Sequence, residues 1–156
     1  MLAFIIDPAA LSSQHTLIIK KDSDFFIVNN NIEVIAMNSM LCNASIEHWN
    51  LSVYPLLKSL VIGDNCLQSL SGFVLNNMKE LTKVSFGSGC CTKGSGNFVV
   101  MNCPVLKKLT VGGLSFPLFD EFCVKKCREL SSIDIGTGCF EQCSSTTLEG
   151  LCCRCW

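Results

Sequence analysis

Twelve cysteines in 156 residues are the groups most able to do chemistry in this chain. A thiol can bridge to another, ligate a soft metal or act as a nucleophile, and each role demands different neighbours. The densest group lies near the end: Cys139, Cys143, Cys152, Cys153 and Cys155. A zinc site usually shows two closely spaced cysteine pairs or added histidines. Here the spacing is irregular, and His15 and His48, the only histidines, lie far away. No metal and no cofactor is expected. A nucleophilic cysteine needs a base within hydrogen-bond reach, and neither histidine is placed to supply one. The glycine-rich stretch "GSGCCTKGSG" at 87–96 carries Lys93 but lacks the Gly-x4-Gly-Lys-Ser/Thr spacing of a phosphate loop, and no helical pattern follows it. The chain is therefore read as a non-enzyme.

Composition narrows the partners. A net charge of −1 gives no footprint for nucleic acid or an anionic membrane. The longest uncharged run, Asn65 to Met78, spans 14 residues and includes six polar ones, too short and too polar for a membrane span. The start, "MLAFIIDPAAL", lacks a basic flank, and Asp7-Pro8 interrupts its apolar run, so no secretory leader is read. The expected location is cytoplasmic, with secretion or cell-surface display as the alternative. The sequons Asn43-Ala44-Ser45 and Asn50-Leu51-Ser52 are short enough to arise by chance.

What positions the cysteines is a repeat. "LKSLVIGDNC" at 57–66, "LTKVSFGSGC" at 81–90, "LKKLTVGGLS" at 106–115 and "LSSIDIGTGC" at 130–139 share one frame. Its first leucine falls at Leu57, Leu81, Leu106 and Leu130. Its glycine falls at Gly63, Gly87, Gly112 and Gly136, and an aromatic at Trp49, Phe73, Phe98 and Phe122. All three columns advance together by 24, 25 and 24 residues. A weaker copy, "IEVIAMNSML", occupies 32–41, and Phe25 extends the aromatic column backward. Alternating apolar residues rich in β-branched and aromatic types predict two short strands per unit, the second at Trp49-Asn50-Leu51 in the earliest copy. The glycine is expected at a turn of positive φ. A unit of about 24 residues cannot bury its own apolar side chains, but stacked units can. The fold expected is mainly β, a solenoid of parallel strands over 32–147. Residues 1–31 are expected to form an N-terminal segment, a partial repeat or a cap, and 148–156 a cysteine-rich tail. Thr147 is expected where the aromatic sits in earlier units.

The repeat sorts the cysteines into columns. Cys66, Cys90 and Cys139 follow the glycine by three residues, with Ser115 in the same place. Cys103 and Cys127 precede the next leucine by three, in a column with Tyr54 and Met78. Small buried thiols fit such columns. Neighbouring rungs also stand close enough for the bridges Cys66–Cys90 and Cys103–Cys127.

The Leu-x-x-Leu-x-Ile frame, with "NCPVL" at 102–106, resembles the leucine-rich repeat family, and most closely its divergent, phenylalanine-bearing microbial surface-antigen type. A steady asparagine ladder is missing, and glycine follows the strand instead. The resemblance implies recognition of another protein and no chemistry of its own. The third frame position, Val34, Ser59, Lys83, Lys108 and Ser132, and the fifth, Ala36, Val61, Ser85, Thr110 and Asp134, should point away from the core. That face is the expected partner-binding surface, with Lys83 and Lys108 either splayed into water or awaiting an acidic group. A secreted, disulfide-stapled adhesion or antigen protein is the competing reading. No polar cap is evident at the C-terminal end, which leaves room for an end-to-end dimer.

Overall fold

The computed structural model describes residues 15–40 and 46–152. Six four-residue strands form one parallel sheet: β1 (Thr16–Ile19), β2 (Val34–Met37), β3 (Ser59–Ile62), β5 (Lys83–Phe86), β7 (Lys108–Val111) and β9 (Ser132–Ile135). Four others form a second parallel sheet: β4 (Phe73–Asn76), β6 (Gly96–Met101), β8 (Phe119–Lys125) and β10 (Ser145–Glu149). Strands alternate between the sheets from β3 onward, so the chain winds as a β-solenoid of about 24 residues per turn. The only helical segments among the described residues are two 3-10 turns, Asp22–Phe26 and Leu51–Val53.

Register follows the columns read from the sequence. Ser59, Lys83, Lys108 and Ser132 are Cα partners in turn, as are Phe73, Phe98 and Phe122. Leu60, Val84 and Leu109 face inward and are fully buried. The aromatic column is continuous: Phe98 lies 5.0 Å from Phe73 and 5.4 Å from Phe122, ring centre to ring centre. Phe86, Phe116 and Phe140 meet Phe98 nearly edge-on from across the core. The interior thus mixes edge-on and offset ring pairs, which satisfies the ring quadrupoles.

Three expectations change, and one rung is added that the 24-residue period did not place. Residues 16–19, inside the N-terminal segment, add a rung to the first sheet; Thr16 pairs with Val34. That loop advances only 18 residues, which hides it from a search for a 24-residue period. Trp49-Asn50-Leu51 makes no strand. Asn50 instead caps the 3-10 turn Leu51–Val53, its side chain accepting from Ser52 N at 3.1 Å, and Trp49 packs edge-on against Phe25 at 4.9 Å. Thr146, not Thr147, stands opposite Phe122.

The third correction concerns the glycine column, where no residue has positive φ. A Cβ on Gly112 would lie 2.4 Å from the Gly87 carbonyl carbon, and one on Gly136 would lie 2.4 Å from Gly113 N. These glycines exist because successive coils touch backbone to backbone as the chain leaves the sheet. Their amides extend the ladder by one bond per rung: Gly63 N to Met37 O at 2.8 Å, and Gly112 N to Phe86 O at 2.9 Å. The left-handed backbone falls two residues later, at Met40, Asn65, Gly89, Leu114 and Gly138.

Candidate protein-binding face

Each β-strand of the first sheet buries alternate residues and turns the others outward. Parallel register then lines the outward residues into two rows. Thr16, Val34, Ser59, Lys83, Lys108 and Ser132 make one; Ile18, Ala36, Val61, Ser85, Thr110 and Asp134 make the other. All eight predicted contact residues lie on this one surface. Ser59, Val61, Ser85, Thr110 and Ser132 are half-buried among their neighbours, while Lys83, Lys108 and Asp134 are exposed. Sequence reasoning missed Thr16 and Ile18, which belong to the short first loop, and Lys107, which borders the face next to Lys108.

The face is graded along the solenoid. Its first rungs are apolar, with Ile18 exposed beside half-buried Val34, Ala36 and Val61. Its early edge has its charges matched: Glu33 accepts Lys58 Nζ at 3.0 Å and faces His15 Nδ1 at 3.7 Å. Its middle does not. Lys83 and Lys108 are direct register partners, and neither they nor Lys107 has an ion pair among the described residues. Like charges one rung apart repel, so the lysines extend outward and leave the ammonium groups to solvent or to an incoming anion. On the opposite sheet, by contrast, Lys125 pairs with Glu149 at 3.9 Å.

Cys66, Cys90 and Cys139 lie past the ends of these strands and are not among the outward residues of the face. Cys66 Sγ donates to Asn38 O at 3.1 Å, Cys90 Sγ to Gly63 O at 3.2 Å, and Cys139 Sγ to Gly112 O at 3.1 Å. Ser115 Oγ fills the same place and donates to Gly87 O at 3.0 Å. This ladder of short donors ties each coil to the carbonyl of the one before, the kind of backbone satisfaction a buried corner requires. Burial pushes the Cys90 thiol up to about 11, raises Cys91 well above its ordinary range, and raises Cys139. Such thiols are poor nucleophiles at neutral pH.

In the glycine-rich stretch at 87–96, the amides of Lys93 and Gly94 both donate to Gln68 O at 2.9 Å. Those two donors are thus spent on the neighbouring coil and are not turned toward a phosphate. Among the described residues no cluster of three or more His, Cys, Asp or Glu could hold a metal. Cys153 and Cys155, weighed above as ligands, lie outside the described residues. No helix among the described residues is long and apolar enough to cross a membrane.

Among the described residues, nothing covers the C-terminal face of the last coil. Behind β9 and β10 lies a groove of about 460 Å³ whose lining includes Ile133, Ile135, Phe140, Leu148 and Leu151. Ile135, at the core position that Val111 fills at 1% exposure, is itself 38% exposed. The chain matches no protein-family model, no curated protein and no solved structure.

Proposed function

We propose that the chain is a non-catalytic scaffold of leucine-rich-repeat type, which holds another protein against the outward face of its six-stranded sheet. The observation that carries the reading is the registered pair Lys83 and Lys108, two neighbouring cations without an ion-pair partner among the described residues. Half-buried small side chains surround them, so an extended segment could approach closely. An acidic group seated between the two ammonium groups would relieve their repulsion, and the apolar rungs from Ile18 to Val61 would bury an adjoining hydrophobic stretch.

The test is affinity capture from the source cell with the wild type, the double variant Lys83→Glu/Lys108→Glu and the control Lys93→Glu run in parallel. Lys93 lies on the connection between β5 and β6, off the sheet. A specific partner lost from the double variant and kept by the control is the expected result, with an unchanged circular dichroism spectrum. Equal capture by all three proteins would remove this face as the charged contact. The alternative, a disulfide-stapled protein of the cell surface or exterior, is favoured by a separate observation, the placement of Cys103 and Cys127 at matching positions on neighbouring rungs.

A further inference from the structure

The two cysteine columns look alike in sequence and differ in what their thiols touch. In the first, Cys66 and Cys90 each hold a carbonyl of the preceding coil at 3.1 and 3.2 Å. Joining them would break both bonds and leave the Asn38 and Gly63 carbonyls without these donors. In the second, Met101 and Lys125 are Cα partners, so Cys103 and Cys127, two residues further along, stand on neighbouring rungs. Each thiol points back along its own coil in the same way, Cys103 Sγ to Met101 O and Cys127 Sγ to Lys125 O, both at 3.4 Å. The link from Cys127 Sγ to the preceding coil, at Val100 O, is 3.9 Å, too long to hold it firmly. What faces Cys127 across the rung is the Cys103 thiol, in the same column one coil earlier. Neighbouring rungs of a parallel sheet stand about 4.8 Å apart, within the Cα separation that a disulfide accepts. Met78 precedes the pair in this column, so Cys103 has no thiol on its other side.

We infer that Cys103 and Cys127 are a built-in bridging site, which closes to a coil-to-coil disulfide when the chain folds in the presence of a low-molecular-weight disulfide oxidant such as oxidised glutathione. The Cys127 thiolate attacks one sulfur of the oxidant, forming a mixed disulfide and releasing one glutathione thiolate. The Cys103 thiolate then attacks the Cys127 sulfur, forming the Cys103–Cys127 bond and releasing the second. The two protons lost by the protein thiols end on the two glutathione thiols, and the two electrons reduce the oxidant's S–S bond. Both thiols are fully buried in the finished coil, so closure belongs to folding or to a local opening and is slow in the docked state.

The experiment refolds the reduced chain in a mixture of oxidised and reduced glutathione, quenches it by alkylation and maps tryptic peptides by mass spectrometry. A second sample of native protein is incubated with the oxidant for days. The expected product joins peptide 94–107 to the dipeptide 127–128, with Cys66 and Cys90 alkylated as free thiols. It should dominate in the refolded sample and accumulate slowly in the native one. Alkylated Cys103 and Cys127 in both samples, or a Cys66–Cys90 link as abundant as Cys103–Cys127, would overturn the assignment.

Discussion

At the scale of single residues, Cys90 and Cys91 are adjacent, both fully buried, and opposite in what they tolerate. Cys90 belongs to the donor ladder, where Ser115 already shows that a hydroxyl satisfies the same carbonyl geometry. Cys90→Ser should therefore change stability by less than about 1 kcal/mol. Cys91 shares its left-handed corner position with Leu67, Phe116 and Phe140, which are apolar. A hydroxyl there would be buried without a partner, and Cys91→Ser should cost about 1–3 kcal/mol. Chemical denaturation of the two variants beside the wild type measures both. The raised Cys90 thiol also gives a direction to the pH dependence. Below its ordinary value of 9.0 the thiol is protonated in the folded and unfolded chain alike, and its burial is free of charge cost. Between 9.0 and about 11 the unfolded chain releases the proton while the folded chain keeps it. Stability should then fall by about 1.4 kcal/mol per pH unit for each such thiol. Unfolding midpoints taken at about pH 8.5 and 10.5 should show a smaller fall for Cys90→Ser than for the wild type.

At the scale of the element, the glycine column sets how closely coils stack. Gly112→Ala places a methyl 2.4 Å from the carbonyl carbon of Gly87, where only backbone movement can relieve the clash. Overpacking of this kind costs about 1–3 kcal/mol. Gly113→Ala, whose nearest neighbour is Thr137 O at 3.1 Å, should cost distinctly less. Thermal melting of the pair tests the contrast. The same column shows what was legible beforehand. Its period, and the rows from Ser59 to Ser132 and from Val61 to Asp134, could be read because parallel pairing repeats one side chain's surroundings at every rung. The cause of the glycine could not, since a turn and a close backbone approach select the same residue. The rung at Thr16–Ile19 was hidden by its 18-residue loop. The 3-10 turn at Leu51–Val53 was hidden because an apolar triplet with an aromatic reads as a strand until its Asn50 cap is seen. The candidate face was legible in outline, but not that its early charges are matched and its middle lysines unmatched, because ion pairing depends on side-chain reach across rungs.

At the scale of the whole molecule, stability in a solenoid is a sum of coil-to-coil contacts, so a coil with one neighbour opens before a coil with two. The two ends are not equivalent. Near the N-terminal end, Phe25 packs on Trp49 and Tyr54 Oη donates to Ile27 O at 2.8 Å, so the first coil is pinned to the second, and Leu17 and Ile19 stay buried. At the C-terminal end β9 pairs, among the described residues, only with β7, and Ile135 is exposed over the groove. Native-state hydrogen exchange should accordingly rank the amides of β5 and β7 slowest, those of β1 and β2 next, and those of β9 and β10 fastest. Protection of β9 equal to that of β7 at every protein concentration would contradict the single-neighbour argument. Protection that grows with concentration would instead place a second copy of the chain on the exposed end, pairing β9 with its counterpart and covering the isoleucines that the last coil leaves bare.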